Sequence, residues 1–136
     1  MEDDSARMQF YAAALATEAA GKIVLDIGTG DNGILSLLAL ERGARYVYAV
    51  EIRQAAATSA QQVLDNMFPG HATVFCADIA KPLGHRDREL AHALSRVELV
   101  VHEVFGTIAS EEGIVQIFKA LLAARDGRPL VSVPAA

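Results

Sequence analysis

The sequence predicts an α/β domain built on a parallel sheet of about five strands, in the order 3-2-1-4-5, with helices on both faces. Three observations carry this expectation. Strand-type apolar runs recur at Ile23–Ile27, Tyr46–Val50, Val74–Cys76, Val97–His102 and Leu130–Val133. Helix-period segments separate them at Leu35–Arg42, Gln54–Met67, Arg86–Leu94 and Glu112–Ala124, and strands alternating with helices mark a parallel sheet. The first run breaks at Gly28-x-Gly30-x-x-Gly33 and a helix pattern follows from Ile34. In a doubly wound sheet, that strand-to-helix turn is where a nucleotide-type ligand sits.

Each element has its own warrant. Residues 5–20 form an Ala-, Leu- and Met-bearing helical segment, with Gly21 as its stop. The first strand is apolar except for Asp26 near its end, as expected of a strand buried on both faces. Glycines 28 and 30 lack a Cβ and permit backbone angles closed to other residues, which lets a ligand approach the chain. Pro69-Gly70 and Asp126-Gly127-Arg128-Pro129 read as turns. No repeat or internal linker divides the chain, so residues 1–136 are expected to be one domain, with 1–21 a helix covering a cofactor and 22–136 the core.

Composition narrows the class of function. At 136 residues, 52% hydrophobic and 21% charged, the chain suits one packed globular core. No apolar run approaches the roughly 20 residues of a membrane helix, and the start Met1-Glu2-Asp3-Asp4 is acidic where a secretory signal is basic. A net charge of −5 with no basic stripe argues against nucleic-acid binding. The single cysteine, Cys76, fits a reducing compartment, and a cytoplasmic location is expected, or a nuclear one in a eukaryote. Cys76 reads as a core residue, His85 and His92 as surface residues of a helix, and His102 as strand-end packing. The four histidines show no metal-ligand spacing.

The glycine trio leaves two cofactors open. With Glu51 closing the second strand, it satisfies a dinucleotide fingerprint and admits NAD. Asp26, two residues before the first glycine, favours another ligand: its carboxylate would repel a diphosphate but suits an amino group and a sulfonium. Asp78 follows the third strand, where an acid can accept a hydrogen bond from an adenine amino group. Both acids could instead cap their turns. Arg7 and Tyr11 lie four apart, hence on one face of the first helix. Arg7 could clamp a ligand carboxylate or belong to a solvated face.

The pattern Asp26-x-Gly28-x-Gly30, then Glu51, then Asp78, resembles the Rossmann-like S-adenosylmethionine-dependent methyltransferases. After the fourth strand, Glu103 and Glu112 stand nine apart with Gly106 between them. Two such carboxylates repel one another unless a cation sits between them, and a guanidinium is the matching planar, forked cation. Glu111 and Glu112 could alternatively be first-turn acids of the next helix. The double-glutamate loop, the run Asp4-x-x-Arg7-x-x-x-Tyr11 and the stretch Gly43–Glu51 resemble the protein arginine methyltransferases.

That resemblance implies S-adenosylmethionine as cofactor and an arginine-containing protein or peptide as substrate. It implies Arg7, Asp26, Gly28, Thr29, Gly30, Glu51, Ile52, Asp78, Ile79 and Glu103 around the cofactor, and Glu103 with Glu112 on the substrate guanidinium. The chain departs from the family in four places. The glycine turn carries Asp31-Asn32 where one residue is usual, His102 precedes the first glutamate where serine is frequent, Ala80 stands where glutamate is common, and the aromatic segment ahead of Asp4 is missing. Family members carry a β-barrel after this domain, which this sequence lacks. The expectation is therefore the cofactor half of such an enzyme, completed by a partner chain or a homodimer. The alternatives are a truncated or split domain without activity of its own, and an NAD-binding domain.

Overall fold

The structure, a computed structural model, describes residues 2–78, 88–102, 119 and 130–133, without the side chains of 2–5 and 7. The elements are α1 (Glu2–Glu18), β1 (Ile23–Ile27), α2 (Ile34–Glu41), β2 (Tyr46–Glu51), α3 (Gln54–Met67), β3 (Ala72–Cys76), α4 (Arg88–Arg96), β4 (Leu99–His102) and β5 (Val131–Val133). The strands form one sheet in the order β3-β2-β1-β4-β5, and every pair is parallel. The expected Rossmann-like arrangement is present. The helix expected at Glu112–Ala124 lies outside the described residues, apart from residue 119.

The period of two along each strand divides the core between the faces. Val24, Val47, Leu99, Val101 and Val133 face Tyr11, Leu15 and Ala19 of α1, Leu35, Ala39 and Leu40 of α2, and Leu64 of α3. Leu25, Ile27, Val50 and Val100 face Leu90 and Leu94 of α4, with Val97 beside them. β1 and β4 are buried along their whole length, as their apolar sequences require. β3 and β5, at the edges, are covered only in part.

Two boundaries move for identifiable reasons. β4 begins at Leu99, not Val97, because Val97 and Glu98 close the end of α4. The Val97 N–H reaches the Leu94 carbonyl, and Glu98 bonds Ile23 twice, through its own N–H to the Ile23 carbonyl at 2.8 Å and through Oε1 from the Ile23 N–H at 3.0 Å. β3 begins two residues earlier than its apolar run, since Ala72 and Thr73 register against Val47 and Tyr48. One expectation is overturned. Cys76 is exposed and not in the core, because it ends an edge strand whose burial fades toward that end. His92 is exposed on α4 and His102 is buried, whereas His85 lies outside the described residues.

Candidate functional site

The sheet reverses its strand order at β1, between β2 and β4. Parallel registers align Ile27 with Val50 and His102, and Glu51 with Cys76. Gly28, Glu51, Asp78 and His102 therefore lie along a single edge, at the carboxyl ends of their strands. That is where ligands bind in open α/β sheets.

The turn after β1 is held to β2. The N–H groups of Gly28 and Thr29 both donate to the Val50 carbonyl, at 2.9 and 3.2 Å. Gly28 and Gly30 adopt φ of 71° and 70°, in the left-handed region that favours glycine. A Cβ added at Gly30 would meet nothing within 4 Å. The space over the turn is open there, and it is the backbone angle that calls for glycine.

Asp26 is fully buried. Residues i and i+2 of a strand share a face, so Asp26 points to the side of Val24, where α2 packs. Its Oδ2 accepts hydrogen bonds from Thr29 Oγ1 and Ser36 Oγ, both at 2.7 Å. One carboxylate thereby joins the end of β1, the turn and the first turn of α2. Thr29 is itself buried.

Glu51 is also buried, at 1% exposure. Oε1 accepts from the Gly30 N–H at 3.0 Å. Oε2 accepts from the Arg53 N–H at 3.0 Å and from Arg53 Nε at 3.2 Å. Burial pushes the carboxyl pKa up. The N–H groups of Arg53 and Gly30, with the Arg53 guanidinium, outweigh burial and hold it below the usual glutamate value. The result is a fixed negative charge beneath the glycine turn. Beside it, Ile52 is an exposed apolar side chain at 55%. Asp78, half-buried, lies two residues past β3.

The N-terminal helix is tied to the same edge. Tyr11 is buried, and its hydroxyl donates to the His102 carbonyl at 2.6 Å, so α1 meets β4 one residue before Glu103. Arg7 lies one turn earlier on α1, and its side chain is outside the described set. Ile79, Glu103 and Glu112 lie outside the described residues. Asp26, Gly28, Thr29, Gly30 and Glu51 are thus joined through the turn, with Ile52 and Asp78 on the neighbouring strand ends.

Two participants are absent from the sequence reading: Ser36 holds Asp26 and Arg53 holds Glu51. Tyr11, singled out beside Arg7, has a role the sequence does not show, the bond of its hydroxyl to β4. The spacing Glu51-x-Arg53 was a visible signal, since an arginine two residues past a carboxylate can fold back on it. Nothing local announced Ser36 or the Tyr11 bond, which spans 91 positions.

Comparison with known proteins bears on this site. The family model described as "Ribosomal protein L11 methyltransferase (PrmA)" matches residues 9–100, a stretch that includes the glycine turn, Glu51 and Asp78. Protein arginine N-methyltransferase 1 of Chlamydomonas reinhardtii is 33% identical over 109 residues, 78% of this chain and 29% of that protein. A crystal structure of PRMT6 superposes with a TM-score of 0.75 at 23% identity, covering 98% of this chain and 44% of the other, which shows the fold. The Trypanosoma brucei PRMT1 enzyme–prozyme heterotetrameric complex with AdoHcy matches with a TM-score of 0.59 at 29% identity, over 78% of this chain and 31% of that one. The chain spans less than a third of the length of the curated relatives it matches. Through its match over residues 9–100, the chain belongs to the methyltransferase family described as PrmA, and its curated relatives are protein arginine methyltransferases.

Proposed function

We propose that this chain is the S-adenosylmethionine-binding domain of a protein arginine N-methyltransferase-like enzyme. The observation that carries this reading is the buried, ionised Glu51 bonded to the Gly30 N–H at the sheet's reversal point. A carboxylate held there matches a ribose diol, to which it can offer two charge-assisted hydrogen bonds. A diphosphate over the same turn would meet the negative charge of Glu51.

The donor set fits the cofactor. Glu51 would hold the ribose, Asp78 the adenine amino group, and Ile52 with Ile79 the adenine faces. The Gly28–Gly33 turn would pass beneath the ligand, its backbone shaped by the Asp26–Thr29–Ser36 network. Arg7 would bind the ligand carboxylate. When bound, the cofactor supplies a methyl group on a positively charged sulfur. Glu103 and Glu112 would clamp a substrate guanidinium and draw its positive charge away from the nitrogen that is to be methylated. With that orientation supplied, the remaining contribution is positioning and electrostatics. The neighbour solved with AdoHcy, at 29% identity, supports the cofactor.

Arginine in a protein or peptide is the proposed substrate, supported by the names of the curated relatives. A partner chain or a second copy would complete the groove, and the heterotetrameric relative supports such assembly. One free cysteine fits a cytoplasmic setting. The family description favours a second reading, in which the acceptor is another group on a ribosomal protein.

The test is thermal. S-adenosylhomocysteine is expected to raise the melting temperature of this chain and NAD to leave it unchanged; the opposite pattern removes the methyltransferase reading. Radiolabelled methyl transfer to arginine-rich peptides, lost in Glu103→Gln, separates an active enzyme from a domain that only binds.

A further inference from the structure

We propose that the Arg53 side chain is a displaceable competitor for the cofactor's place on Glu51, an inference that rests on the cofactor reading above. A carboxylate offers about four acceptor sites, two on each oxygen. On Oε1 one is filled, by the Gly30 N–H. On Oε2 both are filled, by the N–H and the Nε of Arg53. One acceptor site is left, on Oε1, whereas a ribose diol presents two donors.

The three occupants are not equally fixed. The Gly30 N–H belongs to a turn pinned to β2 through the Val50 carbonyl. The Arg53 N–H belongs to the backbone that starts α3, where the Ala57 N–H closes on the Arg53 carbonyl at 2.9 Å. The Arg53 side chain is 63% exposed and makes no capping bond to α3. It alone can leave Glu51 without moving an element of the fold. A diol using both oxygens therefore takes the place of Nε, and the guanidinium swings into solvent.

The two states differ in charge pairing. With the guanidinium on Oε2, Glu51 is paired with a cation; with a diol in its place, it would be held by neutral hydroxyls. The competing contact joins a buried carboxylate to a guanidinium that is 63% exposed, and salt screens the solvent-facing charge. Its removal tightens ligand binding modestly, and more so at low ionic strength.

The experiment is calorimetric titration of S-adenosylhomocysteine into the wild-type chain and Arg53→Ala, at low and at high salt, with the melting temperature of each protein recorded. The variant is expected to bind about two- to five-fold more tightly at low salt, because a diol no longer has to displace a guanidinium whose far side is already in water. The ratio should fall toward one at high salt, and the ligand-free variant should melt somewhat lower than wild type because buried Glu51 loses its cation. Equal or weaker binding by Arg53→Ala overturns the proposal and makes the guanidinium a support of Glu51 or a ligand contact. An absence of binding by both proteins overturns the cofactor reading itself, whereas binding by the variant alone supports the competition in its strongest form.

Discussion

Replacing Glu51 with alanine is expected to abolish the rise in melting temperature that S-adenosylhomocysteine gives the wild-type chain. Two hydrogen bonds from ribose hydroxyls to an ionised carboxylate contribute about 1.5–3 kcal/mol each. Their joint loss weakens binding by roughly a hundred- to ten-thousand-fold. The substitution also strips the Gly30 and Arg53 N–H groups of their acceptor, so the turn loses the contact that sets its height over the ligand. Differential scanning fluorimetry over a ligand series measures the effect. A shift retained in Glu51→Ala places the ribose elsewhere.

The same residue predicts a pH dependence, and its sign follows from the direction of its pKa. The folded carboxyl lies below the ordinary value of 4.5. As pH falls, the unfolded chain therefore takes up this proton first. The stability Glu51 contributes is complete above about pH 4.5 and is lost as pH drops through the lowered folded value. Urea denaturation at stepped pH should show wild-type stability declining more steeply below pH 4.5 than that of Glu51→Ala. Parallel profiles would mean that the carboxyl titrates alike in both states.

Asp26→Ala is expected to give the largest loss of stability among the site substitutions. Thr29 and Ser36 donate to a single oxygen, Oδ2, from buried positions. Hydrogen bonds to a charged acceptor contribute about 1.5–3 kcal/mol each, and two stranded hydroxyls add a desolvation cost. Relief of the cost of burying the carboxylate offsets part of this and leaves a net destabilisation of about 3–5 kcal/mol, a large share of the roughly 5–15 kcal/mol that holds a domain folded. Asp26→Asn keeps an acceptor without the charge and should fall between the two. Chemical denaturation reads both, and a loss under about 1 kcal/mol in Asp26→Ala would mean that the two hydroxyls find other partners.

The sheet was legible because its strands announce themselves twice, by apolar runs and by the turns that end them. β1 and β2 contain no charged residue until the functional acids, Asp26 and Glu51, near their carboxyl ends. The glycine turn identified the central strand, and the order of the remaining strands followed from the doubly wound rule. Edges were harder to read. Thr73 masked the start of β3, and Cys76 looked like core because composition cannot tell an edge strand from a central one.

The acids of the site were legible as residues but not as a network. Asp26 reads in the sequence either as a ligand-side acid or as a cap of its turn, and the bonds it makes to Thr29 and Ser36, three and ten positions away, are not legible there. Glu51 reads in the sequence as an acid for two hydroxyls, and it also holds three protein donors. Such pairings depend on which face each side chain takes once α2 and α3 have docked. The Tyr11 bond to the β4 carbonyl is of the same kind, because it requires α1 to lie over a strand 91 positions away.

The most direct test of the central claim is a crystal structure of the chain with S-adenosylhomocysteine. The ribose hydroxyls are expected on the two oxygens of Glu51, the Arg53 side chain swung off Oε2, and the ligand sulfur facing Glu103 and Glu112 with their carboxylates converging. A ligand bound away from the glycine turn, or Glu103 and Glu112 pointing apart with Glu51 still holding the Arg53 guanidinium, would contradict that claim.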